Sequence, residues 1–257
     1  MSIVKIATWN IQSGGGNRIN DICNYIEKID VDFITITEFR NKNFNILENN
    51  LRNLGFNNFI CSKSEDNTNG LLIASKEPYI KTDNHIEFDN ERWLEVQNPK
   101  TNLKILSLHI PGAPDHKFNN GIGISGLKRK EIFWNNIIHY AEKNLQNDLI
   151  ILGDFNSGLK EDAQGTPFKL SKYIKELNSL GFIDSWRKLN PDLKEYTYYS
   201  KQKVNGITQD YNGFRIDYIY TSPSLSNNLI ASEICHIPRN KRISDHSILT
   251  TQIKLPE

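Results

Sequence analysis

Cysteine is scarce in this chain of 257 residues, with 3 in all, at Cys23, Cys61 and Cys235. Their number is odd, they stand far apart and none has metal-ligand spacing, which excludes a disulfide framework and leaves reduced, packed thiols. Long apolar runs are lacking too. No stretch approaches the roughly 20 residues needed to cross a bilayer. The chain opens straight into a strand-like segment without a signal-peptide pattern, so a cytoplasmic protein is expected. Neither sign of charge dominates, since Lys+Arg number 31 against Asp+Glu 30. Any phosphate recognition must therefore come from a local patch rather than from net charge. No Pro/Ser-rich linker or internal repeat divides the sequence. With 38% hydrophobic residues it can bury a substantial core, and residues 1–257 read as one domain.

What the chain does have is a series of short apolar runs that end in polar side chains. The most informative is Leu149 to Gly158, LIILGDFNSG. Four consecutive apolar residues make a buried strand, Gly153 lets the backbone turn sharply, and Asp154 and Asn156 project from the strand's end. A carboxylate there can hold an attacking water, and a carboxamide can donate to an oxygen that gains charge. A solvated turn is the competing reading, because Asp, Asn and Gly are common turn residues.

The same design recurs along the sequence. A strand over Ile3 to Trp9 ends at Asn10, and after a helical stripe at Ile19 to Ile29 a second strand, Asp32 to Thr37, ends at Glu38. The strand Leu103 to Ile110 carries His109 at its end. Arg215 to Thr221 alternates and turns Asp217 inward. Asp245 and His246 precede the last strand, Ile248 to Ile253. Further helices are expected at Leu47 to Leu54, Leu127 to Leu145 and Phe168 to Leu180. Further strands are expected at Phe59 to Ser62, Gly70 to Ser75, Glu91 to Asn98, Tyr196 to Tyr199 and Leu229 to Ile237. Ser64 to Asn69 reads as a plain surface turn, and Lys128, Arg129 and Lys130 as a solvated face. Pro111 to Gly126 is long for a structureless loop and is expected to act on the substrate side or as a lid. Hairpin and crossover connections both occur and strands outnumber helices, which points to two packed, mostly antiparallel sheets with helices outside.

So many polar strand ends suggest one rim on which they converge. Glu38 and Asp245 are hard oxygen donors suited to Mg²⁺ or Mn²⁺. Asp217 lies among apolar neighbours and needs a partner, for which the His246 imidazole is the candidate. Such a pair raises the basicity of the imidazole and fixes its tautomer, so that it can hold or protonate a phosphate oxygen. His109 is a third candidate, whereas His85, His116, His139 and His236 are assigned no role.

The segments TWNIQ at 8–12, TEF at 37–39, LSLH at 106–109, GDFN at 153–156, RIDYIY at 215–220 and SDHS at 244–247 resemble the endonuclease/exonuclease/phosphatase superfamily of metal-dependent phosphodiesterases and phosphatases. They occur in that family's order. The resemblance implies an α+β fold, a four-layer α/β/β/α sandwich of two mixed, mostly antiparallel sheets. It implies Glu38 as main metal ligand, with Asn10 and Asp245 beside it. Asp154 would orient or deprotonate the attacking water, and Asn156 would position that water and the phosphate. Asp217 and His246 would be the paired acid and histidine. His109 falls where the family places a tyrosine or histidine near the scissile phosphate.

Asp148 to Thr221 looks most like exonuclease III-type abasic-site endonucleases. By that likeness Tyr198, Phe214 and Ile216 would line a pocket for a flipped-out, base-less sugar, and Arg40 would face the substrate. The departures are Thr37-Glu38-Phe39-Arg40 for the usual Gln-Glu-Thr-Lys, His109 for tyrosine and Phe214 for tryptophan. The expectation is thus a Mg²⁺- or Mn²⁺-dependent hydrolase with DNA as its partner, acting as endonuclease or 3′-exonuclease, with abasic sites among its targets. The alternatives are a phosphatase of the same fold acting on a small-molecule or lipid phosphate, and a nucleic-acid-binding domain without catalysis.

Overall fold

Residues 2–112, 124, 126–166 and 168–255 are described by a computed structural model. The lid expected at Pro111 to Gly126 falls almost wholly outside them. In chain order the first half runs β1 (Ser2–Asn10), α1 (Ile19–Ile29), β2 (Phe33–Phe39), α2 (Phe44–Arg52), β3 (Asn58–Cys61), β4 (Gly70–Ser75), β5 (Ile80–Lys81), β6 (Trp93–Gln97) and β7 (Lys104–His109). The second half runs α3 (Gly126–Lys143), β8 (Leu149–Asp154), α4 (Lys172–Ser179), β9 (Ile183–Asp184), α5 (Ser185–Leu189), β10 (Tyr198–Val204), β11 (Ile207–Phe214), β12 (Asp217–Thr221), β13 (Leu229–Cys235), α6 (Ile237–Asn240) and β14 (Ile248–Leu255).

Two six-stranded mixed sheets form, in the orders β13-β14-β1-β2-β4-β3 and β5-β6-β7-β8-β12-β9. Side chains alternate across each strand, so every strand feeds two layers. Ile6, Phe33, Ile73, Ile105, Ile150, Ile219 and Ile253 meet between the sheets. On the outer face of the first sheet, Ala7, Trp9, Ile34 and Ile36 pack against Ile22 and Ile26 of α1 and Leu47 and Leu51 of α2. On the outer face of the second, Leu106, Leu108, Ile151 and Tyr218 pack against Phe133, Trp134 and Ile137 of α3 and Ile174 and Leu177 of α4. The result is a four-layer sandwich with its helices outside.

Each sheet holds one parallel pair at its centre, β1 with β2 and β7 with β8, joined by crossovers that contain α1 and α3. Strands β14 and β12 lie antiparallel beside β1 and β8. Four C-terminal strand ends and two N-terminal ones therefore share a single rim. The inter-sheet face changes character toward it. In register order Ile6 gives way to Thr8 and Asn10, Ile105 to Ser107 and His109, and Ile150 to Leu152 and Asp154.

Several sequence expectations need correction. The aromatic strand at Tyr196 to Tyr199 is instead the start of a β10–β11 hairpin. Its turn is Asn205-Gly206, both at positive φ (50° and 83°), which is the Asn-Gly signature of a tight hairpin. Helix α4 starts at Lys172, four residues later than expected at Phe168.

Candidate active site

Glu38 sits at a bulge in β2, where the register shifts between Thr37 and Phe39 and φ is 57°. The left-handed step turns its carboxylate along the rim. That carboxylate accepts from the Ser13 amide (2.6 Å), Asn10 Nδ2 (3.2 Å) and Asn69 Nδ2 (3.1 Å). Three donors on one acid fix its orientation. Asn69 thereby corrects the surface-turn reading of Ser64 to Asn69, because its side chain reaches into the site. Arg40 turns to Asn69 as well, with Nε donating to Oδ1 at 2.8 Å, so it braces the residue that holds Glu38.

Gly153 precedes Asp154 with φ 141°, and a Cβ there would lie 1.9 Å from the Leu108 carbonyl oxygen. Only glycine lets β8 run this close to β7. Asp154 is 1% exposed. Its Oδ1 accepts from the Asn156 amide (2.8 Å) and its Oδ2 from Asn10 Nδ2 (3.0 Å). Asn10 therefore ties Asp154 to Glu38. Asn156 takes φ 45°, its Nδ2 donates to the Ile110 carbonyl (2.9 Å), and its own carbonyl accepts from Lys130 Nζ.

Asp217 is the residue opposite Asp154 on β12. It is fully buried, and His246 Nδ1 donates to its Oδ2 at 2.8 Å. Both sheets lock His246 in place. Its carbonyl accepts from Trp9 Nε1 (3.2 Å), its amide donates to Ser244 Oγ (3.2 Å), and Tyr198 packs on its ring at 5.0 Å. His109 stands opposite Asp154 on the other side, on β7. The Nε2 atoms of His246 and His109 lie 3.9 and 3.8 Å from the same Asp154 Oδ2. Asp245 is half-buried on the wall of a groove shared with Gln12, Lys201 and Arg242.

The two imidazoles are tuned in opposite directions. Burial lowers the His246 pKa, but Asp217 and Asp154 outweigh it and carry the ring up to about 10. His109 is pushed well below the ordinary histidine value by burial and then by the Arg92 cation. Burial, then the Asp217 charge, raises Asp154 to about 7 against the opposing effect of His246. Groups whose environments separate their pKa values this way are candidates for acid and base roles.

Glu38, Asn10, Asp154, Asn156, Asp217, His109 and His246 thus gather on one rim with Asp245 beside them. The expected pocket residues differ. Phe214 (6%) and Ile216 (1%) are buried, and Phe168 packs edge-on against Phe214 at 4.8 Å and Tyr198 at 6.3 Å. Arg129 and Lys130 are buried at 4% and 0%, which corrects the solvated-face reading for both. Helix α3 directs Lys130 inward behind Asn156, and burial lowers its pKa to about 8. Only the position of the triplet, next to a loop expected near the site, hinted at this. For Arg92 the sequence held no signal.

The donor set suits a hard divalent cation, because carboxylates crowd the rim and oxygen ligands are what Mg²⁺ and Mn²⁺ prefer. Asp154, Asp217 and His246 offer ligand atoms that all lie within 4.8 Å of one another, and Asp217 Oδ1 is buried without a hydrogen-bond partner among the described residues. With His246 deprotonated, this cluster could hold a metal ion.

Residues 7–246 match the profile of the Endonuclease/Exonuclease/phosphatase family. The chain belongs to that family, whose members are phosphoesterase hydrolases that typically depend on a divalent metal. Among solved structures it is similar to an AP endonuclease from Archaeoglobus fulgidus, with a TM-score of 0.79 and 22% identity over 98% of this chain and 100% of that one. It is also similar to a 3′ phosphatase from Neisseria bound to a product DNA hairpin, at TM-score 0.76 and 19% identity over 98% and 99% of the two chains. A 3′-5′ exonuclease from Neisseria meningitidis follows at 0.75 and 18%, over 97% and 99%. At these identities the likeness is one of fold. No helix among the described residues is long and apolar enough to cross a membrane.

Proposed function

We propose that the protein is a divalent-metal-dependent phosphodiesterase that hydrolyses DNA, working at 3′ ends and, less readily, at abasic sites. The observation that carries this reading is the pair of imidazole Nε2 atoms, 3.8 and 3.9 Å from one Asp154 oxygen. A buried base and two ring nitrogens thus surround one point on a rim that also holds Glu38. The similar solved structures are an AP endonuclease, a 3′-5′ exonuclease and a 3′ phosphatase bound to a product DNA hairpin, which supports a DNA substrate. The net charge is only +1, so cations must be local. The groove leading to Asp245 has Lys201, Arg239 and Arg242 against Asp210 and Asp245.

In this reading the Asp154 carboxylate accepts the proton of the attacking water, and the Asn156 amide fixes the carboxylate's direction. Asp217 holds His246 as an imidazolium, whose Nε2–H donates to a phosphate oxygen as charge builds there. Glu38, with Asn10 and Asp245 beside it, would hold the cation. A divalent ion bound there supplies charge neutralisation at the phosphate and stabilises the departing oxygen. Phe168 bears on substrate choice, since its ring covers Phe214 and Tyr198, where a base-less sugar would have to enter.

The test is a substrate panel of recessed 3′-end, 3′-phosphate and abasic duplexes, with a phosphoinositide for comparison, run with Mg²⁺, Mn²⁺ and chelator. Metal-stimulated release from 3′ ends that exceeds abasic incision is expected. Hydrolysis of the lipid phosphate alone would replace DNA with a small-molecule substrate. Asp154→Asn and His246→Ala should each lose about 100-fold or more in turnover.

A further inference from the structure

Arg92 lies in a 3-10 turn, Asn90–Arg92, that leads into β6. In the antiparallel β6–β7 pair Trp93 stands opposite Leu108, which brings Arg92 abreast of His109 at the site end of the ladder. The Arg92 Nη1 is 3.3 Å from His109 Nδ1. A guanidinium carries only N–H donors and keeps its proton under all ordinary conditions. A hydrogen bond between these atoms therefore requires a lone pair on Nδ1. The single ring proton of His109 must then sit on Nε2, the nitrogen 3.8 Å from Asp154 Oδ2.

Arg92 is itself held by charge. Its Nε lies 3.9 Å from Glu91 Oε1, and the same oxygen is 3.8 Å from Arg129 Nη2. Arg129 in turn grips Asp89 through both Nε and Nη2, with both side chains buried. A row of alternating charges thus runs from α3 to the rim and ends on His109. His246 is arranged the other way round, because its acidic partner Asp217 accepts a hydrogen bond from Nδ1–H.

We propose that Arg92 is a positioning residue which fixes His109 in the Nε2–H tautomer, so that this ring acts as a neutral hydrogen-bond donor to a phosphate oxygen rather than as an acid. The proposal rests on the phosphoesterase reading for its substrate, but the tautomer belongs to the protein alone. A neutral N–H here does the work that a tyrosine hydroxyl can do, and among the described residues it leaves His246 as the only imidazolium facing Asp154. The two rings then have separate duties.

The experiment reads tautomer and turnover separately. Long-range ¹H–¹⁵N correlation spectra of histidine-labelled protein, recorded with and without Mg²⁺ and assigned through His109→Tyr, report the state of each ring nitrogen. Wild-type His109 should show an unprotonated Nδ1 and a protonated Nε2, and Arg92→Met should yield a mixed or inverted tautomer. With the most rapidly cleaved substrate of the panel, Arg92→Met should lower kcat about tenfold or more while KM moves less, in line with loss of a residue that orients a site group. Arg92→Lys, which keeps a donor, should retain the wild-type tautomer and more of the turnover. His109→Tyr should outperform His109→Phe. A protonated Nδ1 in the wild-type protein overturns the proposal, as does Arg92→Met with unchanged ring signals and unchanged kcat. If the wild-type protein cleaves nothing, the phosphoesterase reading fails, while the spectra still decide the tautomer.

Discussion

Below about pH 8, Lys130→Met should change stability and activity in opposite directions. Lys130 is buried from solvent and bonds the Asn156 carbonyl. Burial brings its pKa from the usual 10.5 down to about 8, despite the attraction of Asp154. Holding the proton in the folded state is thus unfavourable by about 3 kcal/mol, at about 1.4 kcal/mol per pH unit. The unfolded chain binds that proton up to its ordinary pKa, whereas the folded chain releases it near pH 8. Wild-type stability therefore rises with pH across the window from about 8 to 10.5. Methionine removes this dependence but leaves the Asn156 carbonyl unpaired, at a cost of about 1–2 kcal/mol. Below pH 8 the variant should be more stable by about 1–2 kcal/mol, and near pH 10.5, where a neutral lysine still donates, less stable by a similar amount. Urea denaturation of both proteins from pH 7 to 10.5 measures the difference, in which titrating groups that do not sense the Lys130 charge cancel. Turnover should fall about tenfold at every pH, because the left-handed Asn156 turn loses its brace. A stability difference that stays constant over this range would refute the argument.

Other consequences follow from particular contacts. Arg215 is fully buried between Asp162 (2.5 Å) and Asp184 (2.7 Å), and Asp162 also pairs with Arg187 at 2.5 Å. Asp162→Ala should destabilise the fold by about 3 kcal/mol or more, read as a lower urea midpoint. Asn69→Ala removes one of the two donors to Glu38 Oε2 and leaves the Ser13 amide as the other, so the Mg²⁺ concentration for half-maximal rate should rise about tenfold. Phe168→Ala opens the space over Phe214 and Tyr198, so abasic-duplex incision should gain relative to 3′-end release in a direct competition assay. An unchanged ratio would mean that this ring does not govern entry.

Much of the architecture could be read from local patterns, because each layer has its own period. The stripe at Ile19, Ile22, Cys23 and Ile26 coincides with α1, and the apolar runs ending at Asn10 and Asp154 coincide with β1 and β8. The β10–β11 hairpin leaves little trace in the sequence, because its residues are largely exposed and show no apolar alternation. Its Asn205-Gly206 turn was the available signal.

The site divides in the same way. Residue type and strand-end position were enough to single out Glu38, Asp154, Asp217 and His246, since acids and imidazoles at the ends of buried runs are chemically conspicuous by themselves. Which atoms approach which could not be read along the chain. The Asn10 bridge between Glu38 and Asp154, the Asn69 tether, the Lys130 brace and the Arg92 contact all join residues 17 or more positions apart. Whether a lysine is solvated or buried, and which nitrogen of a histidine carries its proton, depends on the neighbours that packing supplies. Composition and periodicity fixed the layers, whereas the close fit of two sheets set the charge and direction of each group on the rim.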